Sequence, residues 1–360
     1  MIRRPGTLLL SVALVTILGT GPKSLDAASK SPAPQRRSQG IVDTHAHLVP
    51  DPQLRFDEAL SAAVEVMDRY GIETTLIMSP PSSPAVDRKY DLDDFSAAAK
   101  RYPGRFRFMG GGGSLNPIVH GHPDPSSVTP AVREAFAAEA RRLIRAGALG
   151  FGEMSSLHIS LSAKHRFAFV PADHPLLLLL ADIAAEENVP IDLHCDALQT
   201  EMATPQRLAR FPNNPKRMPA TIPALERLLA HNPKARIIWA HAGTDHLGDF
   251  GPERIGTMLD KYPNLFLSLK IAGARASTEN KVLSRKRLDD RWRDLLTRHS
   301  DRFVIGTDSF YGGPSAAGVI AEFTRITEPH MRTTKVFLST LPRDVARQIG
   351  RENAHRLYKF

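Results

Sequence analysis

One cysteine, Cys195, stands in 360 residues, so no disulfide can form within the chain and the fold must rest on its core. The N-terminal apolar run, Leu8 to Leu18, falls short of the roughly 20 residues that a membrane-spanning helix needs. A basic stripe is also missing. The formal charge is +9 and the pI about 9.8, yet Lys and Arg are scattered, with only short clusters such as Arg285, Lys286 and Arg287. Without aromatics interleaved in a basic face, the expectation is a solvated basic surface and no nucleic-acid partner. Gly110 to Gly113 follows a candidate strand but lacks the spacing of a dinucleotide fingerprint, and no helix follows at once. Two readings of that run stay open: backbone that passes close to a ligand or another loop, or a plain flexible loop.

What is present is ordinary for a globular protein, with 42% hydrophobic and 24% charged residues. A single α/β barrel of roughly 250 residues or more would absorb most of the length. At the N-terminus, Arg3 and Arg4 precede the apolar run, and the small residues Ala27 and Ala28 follow it. This layout predicts a secretory signal peptide over residues 1–28 and an exported, periplasmic or extracellular protein with no stable membrane span after cleavage. An uncleaved anchor is the alternative, and the export route stays open because Pro5 and Gly6 follow the arginine pair. Residues 29–39, SKSPAPQRRSQ, are polar and without apolar periodicity, which predicts a disordered linker. Residues 40–360 then form the folded domain.

Within that domain short β-rich apolar runs alternate with longer helical patterns. Strands are expected at 40–48, 72–79, 105–110, 148–154, 190–195, 235–241, 264–271 and 302–308. Helices are expected near 57–70, 92–101, 131–146, 174–188, 221–231, 252–261, 287–299, 315–328 and 342–358. Strand–helix repetition implies parallel strands with right-handed crossovers, and eight units close naturally into a (β/α)8 TIM barrel. An open doubly wound sheet is the competitor. The long linkers 111–130, 155–173 and 196–220 all follow strand C-termini, the catalytic face of a barrel.

Polar residues at strand ends carry the chemistry. Strand 1 reads Val42-Asp43-Thr44-His45-Ala46-His47, and alternation puts His45 and His47 on one face, with Asp43 sharing their parity. Strand 4 ends in Glu153, strand 5 in His194, strand 6 in His241 and strand 8 in Asp308, after otherwise apolar runs. Such groups at the mouth of an apolar barrel are costly to desolvate unless paired or metal-bound. Lys270 ends strand 7, where it could meet an anionic substrate group or snorkel to solvent. Cys195 has the opposite parity to His194 and reads as a core thiol.

This pattern resembles the amidohydrolase superfamily, which carries His-x-His on strand 1, His on strands 5 and 6, and Asp on strand 8. The segments His241-Ala242-Gly243, Lys261-Tyr262-Pro263-Asn264-Leu265 and Glu352-Asn353-Ala354-His355-Arg356-Leu357-Tyr358 are similar to the amidohydrolase-2 branch. The resemblance implies metal ligands at His45, His47, His194, His241 and Asp308, with Asp308 and His241 as catalytic residues. It implies a divalent ion, Zn2+ ahead of Mn2+ or Fe2+, and a small-molecule substrate. Asp308 would move the proton of an attacking water, and His241 would be a ligand or an electrostatic stabiliser. Glu153 resembles the strand 4 carboxylate that bridges two ions in some members; orienting a ligand His or binding substrate are its other readings. One or two ions therefore stay open. So do three functions: hydrolysis of a C–O or C–N bond in an ester, lactone or amide, decarboxylation, and a non-catalytic binding barrel.

Overall fold

The computed structural model describes residues 40–84, 89–271, 278–284 and 286–360. The expected signal peptide and linker lie outside the described residues. Ten strand segments form one sheet, and two pairs of segments are halves of one stave, which leaves eight. These are β1 (Ile41–Val49), β2 (Ile72–Ile77), β3 (Phe106–Phe108 continuing as Gly110–Gly111), β4 (Phe151–Ser155), β5 (Pro190–His194), β6 (Arg236–Ala242), β7 (Leu265–Leu269) and β8 (Phe303–Ile305 continuing as Ser309–Gly312). Every neighbouring pair is parallel. The first half of β3 pairs with β2 and its second half with β4, so the sheet closes on itself. A doubly wound sheet is excluded by that closure.

Helices cover the outside: α1 (Asp57–Tyr70), α2 (Leu92–Ala99), α3 (Pro130–Arg145), α4 (Pro175–Glu186), α5 (Ile222–His231), α6 (Pro252–Lys261), α7 (Asp290–Arg298) and α8 (Thr327–Ser339). Their starts follow local chemistry. Asp91 and Asp94 form a reciprocal capping box at α2, and the Thr129 hydroxyl accepts from Val132 N ahead of Pro130 at α3. α4 turns Leu176, Leu177, Leu180, Ala181, Ile183 and Ala184 onto the barrel, where they pack with Phe151, Leu193 and Trp239. Cutting one such buried Leu back to Ala costs about 2–5 kcal/mol. The barrel interior is filled by Val42, Leu76, Met78, Met109, Ile238, Phe266 and Val304, and closed by Ala354, Leu357 and Tyr358 of the C-terminal helical run. Asn353 ties that run to strand β8 through hydrogen bonds to Phe303 O and Ser300 O at 2.8 and 2.7 Å.

Some expectations need correction. The eighth helix is α8 at Thr327–Ser339, beyond the expected 315–328. β8 runs on past Asp308 to pair with β1 as far as Gly312, and 3-10 turns over Val319–Ile326 follow before the helix starts. Pro329 sits in its first turn, where no backbone N–H is needed. The long linkers are partly ordered as well: 111–130 holds a helix at Leu115–Gly121, and 155–173 and 196–220 each hold a short hairpin. The glycine run is a close approach to another loop. A Cβ on Gly112 would meet Ser79 O at 2.2 Å, and one on Gly113 would meet Tyr90 O at 1.9 Å. Among the described residues no helix is long and apolar enough to cross a membrane.

Candidate metal centre

Three strands lose their regular register where a polar residue must enter the barrel. The shifts lie between Asp43 and Ala46 on β1, Phe151 and Met154 on β4, and Trp239 and Ala242 on β6. They flank His45, Glu153 and His241. Val42 and His45 differ in parity, yet both face the interior because the irregularity lies between them. Asp43 therefore does not share the aim of His45. Its carboxylate accepts from Thr307 N at 2.9 Å and Thr307 Oγ1 at 2.6 Å, a structural role. Burial lifts it to about 6 against those hydrogen bonds. Asp308 falls in the gap between the halves of β8, in the left-handed region with φ 52°, and His241 has φ 69°.

The five residues proposed from the sequence as ligands, together with Glu153, come together at the C-terminal mouth of the barrel. Glu153 is the hub. One of its oxygens lies 3.4 Å from His45 Nε2 and 3.3 Å from His47 Nε2. The other lies 2.6 Å from His194 Nδ1 and 3.1 Å from His241 Nε2. Asp308 Oδ1 is 3.1 Å from His47 Nε2 and 3.9 Å from His45 Nε2, while Oδ2 pairs with Lys270 Nζ. Lys270 thus meets a site carboxylate and does not snorkel. His47 is fixed from behind by Nδ1 on Met78 O at 2.9 Å. Cys195 is buried, as expected of a core thiol.

Burial alone would raise the Glu153 and Asp308 carboxyls. Neighbouring imidazoles outweigh it for Glu153, and Lys270 with His241 and His47 outweighs it for Asp308, so both are held well below the usual carboxylate range. Burial would likewise favour neutral imidazoles, but Asp192 and Glu153 push His45 up, and Asp196 and Glu153 lift His194 to about 9. His241 is lowered to about 3, chiefly by burial. The carboxylates thus call for positive charge, from protons or from a cation. A metal ion fits the donors present. His45 Nε2 and His47 Nε2 are buried without a hydrogen-bond partner. Donor atoms of His45, His47 and Asp308 lie within 4.8 Å of one another, as do those of His45, Glu153 and His241. Imidazole nitrogens with carboxylate oxygens suit a divalent transition ion.

Sequence reasoning missed several neighbours. Asp192 is fully buried with Oδ1 3.1 Å from His45 Nδ1. It stands two residues before His194 in an apolar strand, a signal that was available. Asp196 Oδ2 lies 3.4 Å from His194 Nε2. The ring of His158 packs 4.4 Å from that of His194, and His165 lies 4.5 Å beyond it. These two come from the hairpin after β4, whose fold no local pattern announced.

Fold and site together define an α/β barrel with a histidine–carboxylate centre at its catalytic mouth. The sequence matches the amidohydrolase family over residues 42–360, and the chain belongs to that family, in its amidohydrolase-2 branch. Among solved structures it is similar to a 2,6-dihydroxybenzoate decarboxylase in complex with 2,6-dihydroxybenzoate, at 18% identity and TM-score 0.51, over 90% of this chain and 100% of the other. It is also similar to a chain assigned as an amidohydrolase from Staphylococcus aureus, at 13% identity and TM-score 0.49, over 89% and 100%. At these identities the likeness is one of fold. No curated protein matches the sequence.

Proposed function

We propose that this chain is an exported, zinc-dependent hydrolase that cleaves a C–O or C–N bond of a small ester, lactone or amide. The observation that carries the reading is Glu153, which turns one oxygen to His45 and His47 and the other to His194 and His241. His45, His47 and Asp308 would hold a cation at one position, and His194 and His241 a cation at a second, with Glu153 serving both. Divalent ions bound there would supply Lewis acidity, able to polarise a carbonyl and acidify a water. Asp308 Oδ1 faces the first position and is placed to accept the proton of the attacking water and return it to the leaving group. Lys270 holds the other oxygen of Asp308, which fixes that orientation. His241, kept neutral by burial, serves as a ligand through Nε2. Export rests on Arg3, Arg4 and the apolar run Leu8 to Leu18.

The second reading is a decarboxylase, favoured by the reaction of the similar 2,6-dihydroxybenzoate enzyme. The test is a panel of lactones, esters, amides and aromatic carboxylates on zinc-loaded protein. Hydrolysis of one of the first three classes supports the proposal. Release of CO2 from a carboxylate with no hydrolysis would replace it with the lyase.

A further inference from the structure

β1 and β5 stand opposite each other in the barrel, four staves apart in either direction. Asp192 on β5 nevertheless reaches across the interior to His45 on β1, with Oδ1 3.1 Å from Nδ1. Gly152 on the intervening β4 leaves room for this. A Cβ there would stand 3.0 Å from Asp192 Cβ and 3.2 Å from Met78 Sδ. Asp192 has no solvent exposure, and among the described residues neither of its oxygens receives a hydrogen bond of good geometry. A buried carboxylate with no such partner is costly, and an apolar residue would fill the same space more cheaply. The contact with His45 is what the position provides.

His45 offers two ring nitrogens, and they face different things. Nδ1 faces Asp192, while Nε2 faces Glu153 and Asp308. A neutral imidazole carries its proton on one nitrogen and a lone pair on the other. We infer that Asp192 is a positioning residue: its carboxylate, 3.1 Å from Nδ1, favours the proton of His45 on that nitrogen and so presents the Nε2 lone pair to a divalent cation. This rests on the metal-centre reading above and adds a second layer to it. Carboxylates behind a ligand imidazole fix its tautomer and orientation and raise its basicity, and losing one typically weakens metal binding by about 10–100-fold.

The test uses Zn2+ alone, with affinity read by competition against a chromogenic chelator, on wild type, Asp192→Asn and Asp192→Leu. The Asn amide oxygen can still accept from Nδ1–H but carries no charge, so about tenfold weaker zinc binding is expected. Leu can do neither, and about 100-fold is expected. The Co2+ absorption spectrum should change in both, because the negative charge behind the imidazole is gone. Melting of the metal-free protein should be unchanged or raised in the Leu variant, since a buried charge has gone. A purely structural Asp192 gives the opposite pattern, a lower metal-free melting temperature with unchanged zinc affinity, and overturns the inference. Wild-type affinity with an unchanged Co2+ spectrum in Asp192→Asn also overturns it, and this variant decides alone if the Leu variant fails to fold. A wild-type chain that takes up no zinc refutes the metal centre itself, a failure distinct from that of Asp192.

Discussion

Replacing Glu153 by Gln keeps the shape of the side chain and removes its charge. The carboxylate oxygens lie 3.4 and 3.3 Å from His45 and His47, and 2.6 and 3.1 Å from His194 and His241. A carboxylate and a unit cation about 4 Å apart attract by about 4 kcal/mol at an effective dielectric of about 20. Dehydration of the carboxylate offsets part of this, since the side chain is only 3% exposed. A net loss on the order of 3 kcal/mol would remain, about 100-fold in a dissociation constant. The amide also turns an N–H toward one histidine pair, where a lone pair is needed. Two zinc ions per wild-type chain are therefore expected, and fewer than two in Glu153→Gln under the same chelator challenge. Elemental analysis after dialysis against a weak chelator gives the count, and chelator competition gives the affinity. If the variant takes up as many ions with wild-type affinity, Glu153 is not a ligand and the shared-carboxylate reading must be dropped.

Asp308→Asn should lower kcat by about 10²–10⁴-fold with metal content retained, measured on any ester, lactone or amide that the wild type hydrolyses; unchanged turnover would remove Asp308 from the proton path. Asp43, lifted by burial from 3.8 to about 6, binds its proton more tightly when folded, so its contribution to stability is full below pH 3.8 and is lost as pH rises through about 6. Urea unfolding of wild type against Asp43→Asn should show their difference changing by up to about 3 kcal/mol across that window, whereas a pH-independent difference refutes the titration. Intact-mass analysis should find the mature chain starting near residues 28–29 outside the cytoplasm; a full-length cytosolic chain counts against export.

The staves and the cluster of histidines at the barrel mouth were legible for one physical reason. Imidazoles and carboxylates that end otherwise apolar runs are costly unless something pairs with them, so their positions stand out. Alternation found His45 and His47 but assigned Asp43 the same aim, because it assumes an unbroken strand and the shift between Asp43 and Ala46 leaves no local mark. The start of α8 was hidden because β8 continues past Asp308 and the first turn of the helix contains Pro329, which ordinarily marks an end. Asp192 was visible as a residue but not as a partner. Its contact spans the barrel from β5 to β1, and only closure of the sheet brings those strands face to face.

The mouth of the barrel also explains why these residue types stand where they do. A polar side chain at a break in a strand must turn inward while the strand itself carries on. His241 and Asp308 meet that demand with left-handed backbone at φ 69° and 52°. For most L residues this region costs about 1–2 kcal/mol, but His and Asp are among the types found there more often. The same two side chains carry a nitrogen and an oxygen able to serve a cation, so one choice of residue suits both the backbone and a candidate donor set. Valine or leucine at either position would carry the full conformational penalty and supply no donor. The far end of the barrel is closed by Ala354, Leu357 and Tyr358 packed on Val42, Ile238 and Val304, and the shell around it is apolar.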